Sequence, residues 1–83
     1  MPTIRYWAAA RAAAGVAEER YDAATLAELV TAARAAHAGD GLPRVLERCS
    51  WVVDEAPVGG RAHGSVSLTP GSVVEALPPF AGG

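Results

Sequence analysis

Apolar and polar residues alternate near the start of the chain. Ile4, Tyr6 and Ala8 occupy every second position of this segment. Successive side chains of a β-strand point to opposite faces, so the alternation is typical of a strand that buries one face. The pattern predicts a first strand over residues 3–8.

A short helical turn and a weak strand are predicted next. Residues 9–14 are rich in alanine, which has the highest helix propensity, and Gly15 is suited to end a helix. Residues 18–22 carry fewer of the side chains that favour strands. We expect them to form a weaker strand at an edge of the sheet.

The clearest local signal is the start of a longer helix. Thr25 and Glu28 have the spacing of a capping box, in which the threonine hydroxyl accepts from the backbone amide of the glutamate and the carboxylate reaches back. Gly39 can supply a left-handed cap at the other end. The helical spacing places one apolar stripe on Leu26, Leu29, Val30, Ala33 and His37.

The second half of the chain predicts a short helix followed by strands. Residues 42–48 are suited to a helix that tolerates Pro43 in its first turn. Residues 50–54 and 56–58 predict two strands, joined by a loop that is too short for anything but a hairpin or bend.

The last predicted strand covers residues 73–77 and is apolar on both faces, which is typical of a strand inside a sheet. Pro70 and Gly71 precede it at the central positions of a four-residue turn, residues 69–72. Proline followed by glycine at these positions predicts a type II turn.

These elements predict an α+β domain. One main helix and short extra helices would pack on one face of a mixed four- to five-stranded sheet, which is the plan of ubiquitin-like β-grasp domains. We expect residues 1–77 to form this domain and residues 78–83 to form an extended C-terminal tail that ends in Gly-Gly.

The size and charge of the chain exclude some classes of function. A chain of 83 residues buries only about 60% of its unfolded surface. Little room remains for a cavity of its own, which argues against an ordinary pocket enzyme. The formal net charge is −2 and the arginines are scattered along the sequence, so no electrostatic footprint for nucleic acid is present.

The cysteine and histidine residues predict no metal site. Cys49 is the single cysteine, so an internal disulfide cannot form, and we expect a buried thiol and a cytoplasmic protein. His37 and His63 have no neighbour at metal-ligand spacing, and we expect both to be structural or solvated. The sequence also contains no pattern of a membrane span or signal peptide.

The tail carries the candidate chemistry. Pro78 and Pro79 favour an extended path, so six residues can reach about 20 Å beyond the sheet. Gly82 and Gly83 have no side chains, which lets a terminal carboxylate enter a narrow channel of another protein. An ionised carboxylate is a poor electrophile, and the chain has no phosphate-binding loop, so a partner would have to activate it with ATP.

These features resemble the small subunit of molybdopterin synthase, within the ubiquitin-like sulfur-carrier family. The resemblance spans the whole chain, and Pro78-Pro79 before the double glycine is similar to the molybdopterin synthase branch in particular. The matching segments are residues 4–8 with Arg11 and Gly15, residues 53–55, residues 68–71 and residues 77–83.

The resemblance implies a catalytic role for Gly83. A ubiquitin-activating-type adenylyltransferase and sulfurtransferase would adenylate its carboxylate and convert it to a thiocarboxylate. The tail would then enter the large synthase subunit and donate sulfur to a pterin precursor, in a heterotetramer of two heterodimers. No cofactor would be bound, and ATP would be used in trans. The implied partner-binding residues are Pro78, Pro79, Phe80, Ala81 and Gly82.

Two alternatives stay open. The chain could carry sulfur for thiamine or cysteine biosynthesis, or it could be a ubiquitin-like binding module without sulfur transfer. Trp7 and Trp51 are expected to be core or half-buried sheet residues. A tryptophan exposed beside the tail would instead favour an anchor for a partner protein.

Overall fold

The computed structural model describes residues 1–79, and Phe80 to Gly83 lie outside the described residues. The strands are β1 (Thr3–Tyr6), β2 (Glu18–Arg20), β3 (Ser50–Val53), β4 (Ala56–Pro57) and β5 (Val73–Leu77). The helices are α1 (Ala8–Ala14), α2 (Leu26–Ala36) and α3 (Leu42–Leu46), and a 3₁₀ turn covers His63–Ser65.

The five strands form one mixed sheet in the order β2-β1-β5-β3-β4. Strands β1 and β5 are parallel, and the other neighbouring pairs are antiparallel. Strand β5 is therefore central and β2 lies at an edge, as the apolar pattern predicted. The predicted α+β ubiquitin-like β-grasp fold is confirmed, with one main helix, α2, and two shorter ones.

The core lies between one face of the sheet and the helices. Ile4 and Val74 are fully buried neighbours on β1 and β5, and Leu26 and Leu29 of α2 are fully buried as well. Removing this much apolar surface from water stabilises the fold. We call the opposite side of the sheet, which carries Arg5 and other polar residues, the open face.

The capping box at the start of α2 is confirmed. The Thr25 hydroxyl accepts from the Glu28 amide at 3.2 Å, and the Glu28 carboxylate accepts from the Ala24 amide at 2.8 Å. The predicted glycine cap is wrong. His37 ends the helix, and Gly39 has no positive φ, because the chain tightens into a turn in which the Asp40 amide donates to the His37 carbonyl.

Two further predictions need correction. The 69–72 turn is not type II, because Gly71 lacks the positive φ that this turn requires. Ser72 fixes the turn instead: its buried hydroxyl accepts from the Thr69 amide at 2.9 Å. The first strand ends at Tyr6, and Ala8 begins α1 rather than continuing the strand.

Other ends of elements differ from the prediction by one or two residues. Strand β2 ends at Arg20, α3 ends at Leu46 and β4 ends at Pro57. The β3–β4 hairpin is confirmed, with Asp54 and Glu55 in its turn. None of the helices in residues 1–79 has the length and apolar character of a membrane span.

Candidate functional site

The central strand leads directly into an apolar groove. After Leu77, the chain continues along Pro78 and Pro79, and both prolines line a groove of about 710 Å³. We call it the Trp7 groove. Its lining consists of Trp7, Ala8, Ala9, Arg48, Ser50, Leu77, Pro78 and Pro79.

Trp7 forms an exposed wall of this groove. It is 43% exposed, whereas Trp51 is only 6% exposed and packs in the core. The expectation of a core or half-buried residue is therefore confirmed for Trp51 and wrong for Trp7. Tyr6 takes the inward position at the end of β1, so the next side chain lies outward beside the chain that leaves β5.

The backbone after Trp7 is strained. Ala8 has a φ of 47°, in the left-handed region that residues other than glycine rarely adopt. Such a conformation costs an alanine about 1–2 kcal/mol. It turns the chain from β1 into α1 within one residue, and this sharp turn places Trp7 and Ala8 together in the wall of the groove. Strain of this kind is often found at functional sites.

Among residues 1–79, Arg48 is the single charged residue in the lining of the Trp7 groove. Within residues 1–79 its guanidinium has no ion pair or hydrogen bond, while Arg5 on the open face pairs with Glu18 at 3.4 Å. The groove therefore combines an apolar lining with one positive charge at its rim. This arrangement suits an apolar protein segment that carries a carboxylate.

Of the predicted tail residues, the structure describes Pro78 and Pro79, and it brings both next to Trp7. Phe80, Ala81, Gly82 and Gly83 lie outside the described residues.

A polar cluster, the Glu19 cluster, lies on the helix side of the β2 edge. It consists of Tyr6, Glu19, Tyr21, His37 and Asp40. The Tyr6 and Tyr21 hydroxyls donate to Glu19 Oε1 at 2.8 and 2.9 Å, and His37 Nε2 lies 2.6 Å from the same oxygen. His37 Nδ1 is hydrogen-bonded to Asp40. Because the two tyrosines and His37 meet on one carboxylate oxygen, the cluster ties β1, β2 and the end of α2 together.

The pKa values in the Glu19 cluster shift in a consistent pattern. The hydrogen bond to Asp40 raises the pKa of His37, and the contact with Glu19 adds to this. Burial alone would raise the pKa of Glu19, but hydrogen bonds from His37, Tyr6 and Tyr21 lower it overall. Burial raises the pKa of Tyr21 to about 12. The cluster is thus built to hold a charged His37 beside ionised carboxylates.

Cys49 has no features of a nucleophile. Burial raises the pKa of its thiol to about 11, and Sγ contacts the Val45 carbonyl oxygen at 3.4 Å. His63 packs edge-on against Trp51, with ring centroids 6.1 Å apart. Among residues 1–79, no three His, Cys, Asp or Glu side chains are placed to hold a metal ion.

Sequence reasoning missed three features of the site: Ala8, Arg48 and Glu75. The Trp7 indole Nε1 donates to Glu75 Oε1 at 3.2 Å across 68 positions of sequence. The period-two pattern of β5 does place Glu75 between its inward residues. Its contact with Trp7 depends on the parallel register of β1 and β5, which no local pattern shows.

Comparison with solved structures supports the fold. Small archaeal modifier protein 1 (SAMP1) from Methanosarcina acetivorans superposes with a TM-score of 0.84 at 14% identity, covering 99% of this chain and 95% of that chain. A chain of the Amycolatopsis orientalis BexX/CysO complex gives a TM-score of 0.79 at 20% identity, with 100% of both chains covered.

A third similar chain belongs to the complex of subunits 1 and 2 of molybdopterin-converting factor from Helicobacter pylori. Its TM-score is 0.67 at 23% identity, covering 99% of this chain and 97% of that chain. No family model matches the sequence, and no curated protein matches it significantly. At these identities the similarity shows the ubiquitin-like β-grasp fold and does not select a function.

Proposed function

We propose that this protein is a sulfur carrier that acts as the small subunit of molybdopterin synthase. The observation that carries the proposal is the path of β5, which leads from the sheet centre along the Trp7 groove into Pro78-Pro79, before Gly82 and Gly83 in the sequence. A C-terminal tail, or arm, that starts beside an apolar docking surface can place its end inside a partner protein while the folded domain stays outside.

The proposed chemistry takes place on the Gly83 carboxylate. Its oxygen attacks the α-phosphate of ATP in an activating enzyme, and pyrophosphate leaves. A persulfide on a donor protein then displaces AMP at the acyl carbon and forms an acyl disulfide. A second thiol of the partner enzymes attacks the donor sulfur of this disulfide, which releases the thiocarboxylate and leaves a disulfide on the partners. Catalytic groups for these steps belong to the partners, because the described residues provide neither an activated thiol nor a phosphate-binding loop.

The Trp7 groove supplies the proposed docking surface. Exposed aromatic residues are favoured anchors in protein interfaces, and Trp7 lies directly beside the start of the arm. Arg48 can pair with a partner carboxylate at the rim. Two of the similar structures are protein complexes, one of BexX with CysO and one of the two molybdopterin-converting factor subunits, which is consistent with function through a partner.

Intact-mass measurement tests the chemistry. Incubation with the activating enzyme of the same organism, ATP and a sulfur donor should change the mass by one oxygen-to-sulfur exchange. Deletion of Gly83 should abolish the exchange and leave the melting temperature nearly unchanged. An unchanged mass of the wild-type chain, with an activating enzyme that loads another carrier, would instead support a binding module without sulfur transfer.

Identification of the receiving partner tests the pathway. The resemblance of Pro78-Pro79 to the molybdopterin synthase branch predicts that a pterin-binding large subunit co-purifies with the loaded chain. Recovery of a thiazole synthase or a cysteine-forming enzyme would retain the sulfur-carrier function and assign the chain to the thiamine or cysteine route.

A further inference from the structure

The contact between Trp7 and Glu75 stands out on the open face of the sheet. Strands β1 and β5 are parallel, and Arg5 lies directly opposite Glu75. Trp7 is two residues farther along than Arg5, so it is a diagonal neighbour of Glu75, within reach of a long side chain. The indole Nε1 donates to Glu75 Oε1 at 3.2 Å.

Glu75 is free to accept this bond because Arg5 is engaged elsewhere. The Arg5 guanidinium pairs with Glu18 on the edge strand at 3.4 Å, although Glu75 is its direct cross-strand neighbour. Among residues 1–79, no ion pair involves Glu75. Two separate pairs therefore lie side by side on the open face: Arg5 with Glu18, and Trp7 with Glu75. The bond to Glu75 determines where the Trp7 indole lies.

The position of the indole decides whether the groove exists before binding. Trp7 forms one wall, and Leu77 with the two prolines forms the region next to it. An exposed side chain that must be ordered during association lowers the affinity, whereas one that is already held in place does not. A hydrogen bond that fixes the indole in the free protein thus favours docking without any contact between Glu75 and the partner.

We propose that Glu75 is a positioning residue that holds the Trp7 indole as a preformed wall of the docking groove. The inference rests on the proposed function for its partner, but the position of the indole can be measured in the free protein. The role requires an acceptor oxygen at position 75 and does not require a negative charge, so glutamine should replace glutamate.

The test compares E75A with E75Q, and with E55A as the matched control. Glu55 is exposed near the same face and, among residues 1–79, makes no ion pair or side-chain hydrogen bond. Nitrogen-15 relaxation and solvent exchange of the Trp7 indole N–H report its order, and the signal is assigned by its loss in W7F. We expect E75A to lower the indole order and to weaken binding to the activating enzyme by about fivefold. E75Q and E55A should keep both properties within about twofold of wild type.

Three results would contradict the proposal. Equal indole order in wild type and E75A would refute the positioning role, and a disordered indole with unchanged affinity would refute its importance for docking. An E75Q protein as weak as E75A would show that the charge matters rather than the acceptor. If the wild-type chain does not bind the activating enzyme at all, the proposed function fails, while the indole measurement still decides whether Glu75 orders Trp7.

Discussion

Tyr6 and Trp7 are neighbours in sequence, and each donates a hydrogen bond to a glutamate, yet they serve different regions of the molecule. Tyr6 is 2% exposed and donates to Glu19 on the helix side of the sheet. Trp7 lies on the open face and donates to Glu75. Loss of a buried polar contact destabilises the fold because it leaves a desolvated group without a partner. Loss of an exposed contact can change the position of a side chain, but it costs the fold little because water replaces the partner.

These two hydrogen bonds distinguish a region that stabilises the fold from a region that is available for binding. The Glu19 cluster joins β1, β2 and the end of α2 through one carboxylate, so its bonds contribute to stability. The Trp7 groove leaves an aromatic side chain in solvent and includes a strained residue, Ala8. Exposed apolar surface and strain bring no benefit to the free protein, which agrees with a surface that functions in a complex.

The largest expected contrast is between the two tryptophans. Trp51→Ala should lower the free energy of unfolding by about 3–5 kcal/mol, because it leaves a cavity in the core. Trp7→Ala should change stability by less than about 1 kcal/mol and weaken partner binding by at least tenfold. Urea unfolding followed by far-ultraviolet circular dichroism measures stability without relying on tryptophan fluorescence.

Trp51→Phe provides a milder core variant should the alanine protein not fold. A Trp7→Ala protein as destabilised as the Trp51 variants would contradict the assignment of Trp7 to binding. Unchanged partner affinity of a folded Trp7→Ala protein would contradict the docking role of the groove.

The next largest expected effect is a difference in stability between variants of Glu18 and Glu19, the two adjacent glutamates of β2. Glu19→Ala removes the acceptor shared by two tyrosines and His37, and should cost about 2–3 kcal/mol of unfolding free energy. Glu18→Ala, the exposed neighbour, should change stability by no more than about 0.5 kcal/mol. Thermal unfolding of both variants is the measurement. Equal melting temperatures would show that the cluster does not stabilise the fold.

The pH dependence of stability should follow the Glu19 cluster. Folding raises the pKa of His37, so its contribution is fully present below the ordinary value of about 6.5 and is lost as pH rises through the raised value. Folding lowers the pKa values of Glu19 and Asp40. The stability that these carboxylates contribute is therefore lost at acidic pH, as pH falls through the lowered values. Stability should therefore be greatest at mildly acidic pH.

Urea midpoints measured from acidic to alkaline pH test this expectation. His37→Asn should remove the fall that begins near neutral pH, and His63→Asn serves as the control histidine. The raised pKa values of Tyr6 and Tyr21 leave a separate fall at strongly alkaline pH in both variants. A wild-type midpoint that rises between neutral and alkaline pH would have the wrong sign for this cluster.

The sequence predicts the folded core better than it predicts the Trp7 groove. The alternation around Ile4 and Tyr6, the capping box at Thr25 and the apolar strand Val73–Leu77 are local patterns, and they were sufficient for the fold and for the central place of β5. The alternation places Trp7 on the face opposite Ile4 and Tyr6, but it does not show whether that face is covered, so the exposure of Trp7 was not predicted. The positive φ of Ala8 has no signature in a run of alanines.

The contacts of the site depend on register rather than on local pattern. The Trp7–Glu75 bond and the approach of Arg48 to the arm both require knowledge of which residues face each other across strands and loops. His37 was placed on the apolar helix stripe from its spacing, but Glu19 and Asp40 reach it from two other segments. The fold was thus predictable from local patterns, and the polar contacts between distant segments were not.

The smallest expected effect concerns the strain at Ala8. Ala8→Gly relieves a backbone conformation that costs alanine about 1–2 kcal/mol, and this gain is offset by up to about 1 kcal/mol from the lower helix propensity of glycine. The variant should therefore be as stable as wild type or slightly more stable. Ala12→Gly, an exposed position of the same helix without positive φ, should lose about 1 kcal/mol. If both variants lose the same amount, Ala8 stores no strain. If Ala8→Gly is as stable as wild type but binds the partner less tightly, the strained turn serves to hold Trp7 at the groove. In that case the turn lowers the stability of the free protein in favour of binding, whereas the Glu19 cluster only stabilises the fold.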